Sequence, residues 1–247
     1  MARVKTLQGH IDAAYRGFDL NYPDAKRADR FISELKRFET EGDMPRLQII
    51  RLPGDHTSGA TLNKRTPRAC VADNDAALGR IVDAVSHSKF WTNTAIFVVE
   101  DDAQNGADHV DAHRTVAFVI SPYTKRSFVD STMYSTSSML RTIELLLGLQ
   151  PMSQFDAAAT PMFNSFQVAP EIRPYAALPP RIDLEEKNVK TSWGERESRK
   201  MDFSREDAAD DLLLNAIIWR AVRGDDSPVP PPTRAGFVLV HGSKDDD

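Results

Sequence analysis

Two short stretches of this chain carry most of the side chains that are suited to chemistry. The first is the run Gly-Asp-His-Thr-Ser-Gly at 54–59, which supplies a carboxylate, an imidazole and two hydroxyls between two glycines. Glycines allow the backbone to turn sharply and to approach a ligand closely. The same residues are also typical of a tight turn in which Asp55 and Ser58 bind local amides. A ligand loop around His56 and a plain turn both remain open interpretations.

The second stretch is an acidic, histidine-containing loop at 100–113, with five carboxylates and two imidazoles in fourteen residues. Its members are Glu100, Asp101, Asp102, Asp108, His109, Asp111 and His113. Like charges this close repel one another unless a cation lies among them, and Arg114 is the only fixed positive charge nearby. Imidazole with carboxylate suits Zn²⁺ or Mn²⁺, whereas carboxylate alone favours Mg²⁺ or Ca²⁺. The alternative is a solvated acidic loop whose charges point outward. The spacing matches none of the usual zinc patterns, so the motif alone does not identify a metal site.

Three apolar runs predict the strands that would position these stretches. Residues 94–100 and 115–121 are continuous apolar runs, typical of strands buried on both faces, and 47–52 indicates a shorter buried strand. Both polar stretches begin where a predicted strand ends. Open α/β sheets bind ligands at the carboxyl ends of their strands, so this placement favours a functional site.

Helical periodicity and capping residues predict four helices between and after these strands. They begin at Asp24 and end before Gly42, cover 67–88, cover 135–147 before Gly148, and follow Ser204 with an apolar face over 212–219. Alternation of strands and helices indicates an α/β fold. We expect an irregular leading segment at 1–23, an α/β core at 24–162, a wrapping segment with the last helix at 163–224, and a Pro-rich, acidic tail at 225–247.

Composition excludes several classes of protein. The chain has 247 residues and a net charge of -5, which argues against a nucleic-acid binder dominated by phosphate contacts. Its single cysteine, Cys70, excludes an internal disulfide framework and a Cys-rich zinc site. No apolar run approaches the roughly 18 residues of a membrane span, and the first residues show no signal-peptide pattern.

Five runs of sequence resemble a known family. They are Leu-Pro-Gly-Asp-His-Thr-Ser-Gly at 52–59, Val-Ala-Asp-Asn-Asp-Ala-Ala-Leu-Gly at 71–79, Ala-Ile-Phe-Val-Val-Glu-Asp-Asp-Ala-Gln-Asn-Gly at 95–106, Asp-His-Val-Asp-Ala-His-Arg at 108–114 and Ser-Met-Leu-Arg-Thr-Ile-Glu at 138–144. Together they resemble the phosphoesterase family of phospholipase C and acid phosphatases, in the alkaline phosphatase superfamily. The likeness covers most of 15–225 and is strongest to bacterial proteins in which such a domain follows a β-propeller.

The resemblance implies a three-layer α/β/α sandwich that hydrolyses phosphate mono- or diesters with a divalent metal and a nucleophilic hydroxyl. The metal is Zn²⁺, Mn²⁺, Mg²⁺ or Ca²⁺. The residues that match the family's metal-site positions are Asp101, Asp102, His56, Asp108, His109 and His113. In this family pattern either His56 or His113 would bind metal or protonate the leaving oxygen.

The chain departs from the family at two places. Thr136 stands where family phospholipases have a histidine, and nothing before Asp24 matches the family's first acidic ligand or its Ser/Thr nucleophile. We therefore expect the carboxyl-terminal part of a longer phosphoesterase, with a separate amino-terminal half or another chain as partner. The alternatives are a non-catalytic binding or regulatory domain and a hydrolase that activates water without a protein nucleophile. Relatives of this kind are commonly exported or periplasmic.

Overall fold

The computed structural model describes residues 4–101 and 106–234. These residues form two compact units that interleave along the chain. The first unit contains 4–56, 70–99 and 117–184, and the second contains 57–69, 100–101, 106–116 and 185–234. His56 is therefore the last residue of a first-unit segment, and the acidic loop belongs to the second unit.

Helices dominate the secondary structure. The helices are α1 (Asp24–Glu41), α2 (Pro67–His87), α3 (Thr136–Leu147), α4 (Gln154–Ala158), α5 (Glu195–Ser198) and α6 (Asp211–Arg223), and short 3-10 turns lie at Lys5–Leu7, Pro53–His56, Trp91–Asn93 and Phe163–Ser165. The first three predicted helices are confirmed. Gly42 and Gly148 end α1 and α3 in the left-handed conformation, with φ of 89° and 70°. Within the described residues, no helix combines the length and the apolar character needed to cross a membrane.

The core of the first unit lies between α1 and α2. Every third or fourth residue of each helix is apolar, and these side chains face each other. The buried cluster is Ala28, Phe31, Leu35, Ala77, Ile81, Val85 and Trp91. Tyr175 packs against this cluster, with its ring centroid 6.1 Å from that of Trp91.

Strands β1 (Ile96–Val99) and β2 (Ala117–Ile120) form an antiparallel pair with Ile96 opposite Ile120. Their positions confirm two of the predicted strands, and helices with a small sheet agree with an α/β fold. The expectation of strands buried on both faces is wrong, because Val99 is 39% exposed and Phe118 is 48% exposed. Among the described residues the sheet has two strands, and these two side chains stay exposed on it.

The predicted strand at 47–52 is also wrong. Within 4–101 and 106–234 this segment pairs with no strand, and Ile49 is 90% exposed. Side chains bind its backbone instead: the Tyr15 hydroxyl donates to the Arg51 carbonyl at 2.7 Å, and Asn74 donates to the Leu52 carbonyl at 2.7 Å. The apolar residues of this segment are typical of a strand, but tertiary contacts decide whether hydrogen bonds to a neighbouring strand form.

The last helix begins later than predicted. Asp210, rather than Ser204, caps α6 by accepting a hydrogen bond from the Leu213 backbone at 2.9 Å. Ser204 donates to Asp202 at 2.6 Å, and Asp207 has a φ of 52°, which is incompatible with a helix. The segment 204–211 contains several residues that can cap a helix, so the sequence pattern alone does not decide which of them begins α6.

In the second unit, one buried asparagine fastens the segment that follows His56. Asn188 donates to the carbonyls of Gly59, Thr61 and Arg65 at 3.0, 3.2 and 3.1 Å. Ser198 accepts from the Ala60 backbone at 2.9 Å. The segment before α2 is therefore held by residues more than a hundred positions away.

Glu186 gives this part of the second unit an acid-sensitive contact. Hydrogen bonds from Arg68 and Thr66 lower the pKa of its carboxyl to about 2. Because the folded pKa lies below the ordinary value of 4.5, the stabilisation is complete above pH 4.5 and is lost as the pH falls toward 2. We expect Glu186→Gln to lower the free energy of unfolding at pH 7 and to reduce its pH dependence between pH 4.5 and 2, as measured by urea titration.

The neighbouring Glu185→Gln is the matched control, because Glu185 is 67% exposed and an exposed ion pair contributes little. Equal pH profiles for wild type and Glu186→Gln would contradict the assignment of this acid sensitivity to Glu186.

Candidate functional site

Asp55 and His56 lie in the 3-10 turn Pro53–His56 of the first unit, and both are half-buried. The turn approaches α1 closely, since the Gly54 backbone donates to the Asp24 carboxylate at 2.8 Å. A Cβ atom at Gly54 would lie 2.5 Å from that carboxylate oxygen. The glycine before Asp55 is therefore explained by contact with the protein's own helix.

An aromatic contact orients the His56 side chain. The Phe18 and His56 ring centroids are 5.3 Å apart with an interplanar angle of 89°, an edge-to-face arrangement. The Arg51 guanidinium lies 5.9 Å from the Phe18 ring centroid. Phe18, from the irregular leading segment, thus contacts the first candidate histidine, His56.

Thr57, the next residue, has a strained backbone. Its φ of 58° is rare for a β-branched residue, and its side chain is 2% exposed. The Thr57 hydroxyl accepts from the Gly59 backbone at 2.9 Å. Strain of this kind costs about 1–3 kcal/mol and is concentrated at functional turns.

In the second unit, Asp108 organises the acidic loop. Its carboxylate accepts from the backbone of Val110 at 2.6 Å and of Asp111 at 3.1 Å, and it binds Arg114 at 3.1–3.2 Å. The Val110 hydrogen bond, followed by the Arg114 guanidinium, lowers the pKa of the Asp108 carboxyl. Asp108 is therefore a carboxylate that caps its own loop and neutralises the nearby arginine.

Asp111 holds His113 in the same loop. One Asp111 carboxylate oxygen lies 2.7 Å from His113 Nδ1 and accepts from the His113 backbone at 2.9 Å. A carboxylate on one ring nitrogen orients an imidazole and leaves Nε2 available to another partner. Asp111 is one of the loop's acidic residues but is not among the residues that match the family's metal-site positions. The signal was its spacing, two residues before the histidine.

Thr233, near the end of the described chain, is hydrogen-bonded to this loop. The Ala112 backbone donates to the Thr233 carbonyl at 2.7 Å, and the Thr233 backbone donates to the Asp108 carbonyl at 2.9 Å. Ala112 is 3% exposed. At Thr233 the Pro-rich tail is therefore hydrogen-bonded to the candidate loop.

The remaining predicted residues are not gathered into a centre. Asp101 and His109 are exposed, and Asp102 lies outside the described residues. Across 4–101 and 106–234, no three side chains of His, Cys, Asp or Glu are arranged to hold a metal ion. The donor set of carboxylates and imidazoles suits a divalent cation chemically. In the described residues, however, the carboxylates of Asp108 and Asp111 bind groups of their own loop.

Comparison with protein families identifies a relationship. The sequence profile described as the Phosphoesterase family matches residues 13–150. This range is more than half of the 247-residue chain and contains both candidate stretches. No curated protein matches the chain.

Proposed function

Because the chain belongs to the phosphoesterase family, we propose that it hydrolyses phosphate esters, with a phosphomonoester or a phosphodiester as substrate. The observation that carries this proposal is the family match over 13–150, which includes the turn at His56 and the whole acidic loop. The organised Asp111–His113 pair in that loop supports it independently.

We propose further that the reaction depends on a divalent metal ion, as it usually does in this family. The residues that would hold the ion are Asp101, Asp102, His109 and Asp108, with His56 or His113 as a further ligand. When bound, a divalent cation neutralises phosphoryl oxygens and lowers the pKa of an attacking hydroxyl. The support for this set is its donor chemistry and its place in the family match.

The chain's own histidines would carry the proton. When the phosphorus–oxygen bond of the ester breaks, the alcohol portion leaves as an alkoxide unless a neighbouring acid protonates the leaving oxygen. His113 is suited to this because Asp111 holds Nδ1, so Nε2 is available. His56 is the other candidate, and Phe18 orients its ring. One of the two would protonate the leaving oxygen, and the other would bind substrate or metal.

The proposal includes the three-layer α/β/α arrangement and the division of the chain at 23, 162 and 224. In such a sandwich, further strands from the same or another polypeptide pair with β1 and β2. The exposed side chains of Val99 and Phe118 are consistent with an additional layer over this pair.

A second candidate function is a non-catalytic binding or regulatory domain that retains the fold. The observation that favours it is the pairing of Asp108 with Arg114, which occupies a carboxylate that the hydrolase would need as a metal ligand. This candidate predicts metal or phosphate binding without turnover.

The double variant Asp101→Asn/Asp102→Asn tests the proposed function. We expect it to lose about 100-fold or more of the hydrolysis of p-nitrophenyl phosphate or its bis ester, because removing groups around a metal commonly costs 10–100-fold or more. The matched control is Asp225→Asn/Asp226→Asn, which removes the same charge from two exposed tail residues. Equal loss in both variants, or no loss in either, would contradict the assignment of the site to Asp101 and Asp102.

A further inference from the structure

A fully buried carboxylate holds the backbone just before His56. Asp24, at the start of α1, is 0% exposed. It accepts from Gly54 at 2.8 Å and from Asn74 at 3.1 Å, and it pairs with Arg27 at 2.9 Å. Asn74 also donates to the Leu52 carbonyl at 2.7 Å. Residues 52–54 are therefore fixed by side chains from α1 and α2.

The partner of this carboxylate holds the segment around Phe18. Arg27 is 0% exposed, and its guanidinium donates to the carbonyls of Arg16, Gly17, Asp19 and Tyr22 at 2.9, 2.6, 3.2 and 2.5 Å. One guanidinium thus collects four carbonyls from a segment without regular structure. This fork of donors is a property that lysine lacks.

The two halves of this network meet at one side chain. Asp24 fixes the backbone that leads into His56, and Arg27 fixes the segment whose Phe18 ring lies 5.3 Å from the imidazole. The Tyr15 hydroxyl adds a bond between the same two segments through the Arg51 carbonyl. Backbone and ring of His56 are therefore both restrained from the start of α1.

Stability alone does not account for such a network. A buried ion pair is commonly no more stabilising than apolar side chains of similar size, because desolvation offsets the attraction. Burial raises the pKa of the Asp24 carboxyl, because desolvation disfavours its charged form. What the network supplies that apolar packing would not is directional restraint of two irregular segments.

We propose that Asp24 and Arg27 are positioning residues for His56, with Phe18 as the contact that transmits the restraint to the imidazole. The functional meaning rests on the proposed function, which assigns His56 to the site. The restraint itself is a property of the folded chain and is measurable without turnover.

The test follows the His56 ring by proton–carbon NMR of the full chain with labelled histidine. The chain has six histidines, and the His56 signal is the one absent from His56→Gln. We expect Phe18→Leu to move this signal toward that of the exposed His10, because the ring-current effect of Phe18 is lost. We expect Arg27→Lys to move it the same way, because an ammonium cannot bind all four carbonyls.

Phe128→Leu is the matched control, since Phe128 is 49% exposed and contacts Lys125 instead. It should leave the His56 signal in place. An unmoved His56 signal in folded Arg27→Lys would overturn the proposal, and the signal in Asp24→Asn decides the question in the same way if Arg27→Lys fails to fold. If the wild type shows no hydrolysis, the NMR result still stands. If the wild type hydrolyses a phosphate ester, Phe18→Leu should lower kcat by a larger factor than it raises KM.

Discussion

Replacing Arg27 with alanine is expected to lower the free energy of unfolding by about 3–5 kcal/mol, because removing one partner of a buried ion pair leaves the other charge uncompensated. Asp24, which is 0% exposed in the wild type, would lose the guanidinium of Arg27 as its ion-pair partner, and four backbone carbonyls would lose their hydrogen-bond donor. Urea denaturation followed by circular dichroism measures the change.

Arg30→Ala is the matched control one turn along the same helix. Arg30 pairs with Asp12 and Glu34 at 2.7 Å each, but its side chain is 31% exposed. Partly exposed pairs of this kind contribute at most about 1 kcal/mol. Equal losses for the two variants would show that the burial of Arg27 has no special energetic consequence.

The second large effect is expected at His56. If His56 protonates the leaving oxygen or binds the metal ion, His56→Ala should lower kcat by about 10²–10⁴-fold, the range for loss of a positioned proton donor. Stability should change less than for Arg27→Ala, because the imidazole is half-buried and contacts a single aromatic ring.

His87→Ala is the control for this prediction. His87 ends α2, where its Nδ1 contacts the Asp83 carbonyl at 2.9 Å, and it lies outside both candidate stretches. Its replacement should leave kcat unchanged. A His56→Ala enzyme with wild-type kcat would remove His56 from the proposed site.

Local signals explain which elements the sequence predicted well. Helices α1 and α3 are predictable because their apolar spacing lies within the helix and the glycine that ends each helix follows it directly. Strand burial was not predictable in this way, since it depends on which segments pair and cover one another. The exposure of Ile49 and Phe118 shows that an apolar run does not fix its own surroundings.

In the candidate site, too, local sequence features are predictable and tertiary contacts are not. The chemistry-bearing residues of the acidic loop can be identified from composition, whereas the Asp111–His113 contact is not predicted, although the two residues lie only two positions apart. The Asp24–Arg27 network was missed because a charged pair three residues apart is usually a solvent-exposed helix pair. Its burial comes from 16–22 and 52–54, segments whose irregular conformation no local pattern specifies. Thr233 was missed for the same reason.

The central claim is that this chain is a metal-dependent phosphate-ester hydrolase. The most direct test measures bound divalent metal and hydrolysis of p-nitrophenyl phosphate and its bis ester on one purified sample, before and after chelation and after adding back Zn²⁺, Mn²⁺, Mg²⁺ or Ca²⁺. We expect turnover of at least one ester, which chelation abolishes and one of the cations restores. Turnover of neither ester in a folded, metal-supplemented sample would contradict it.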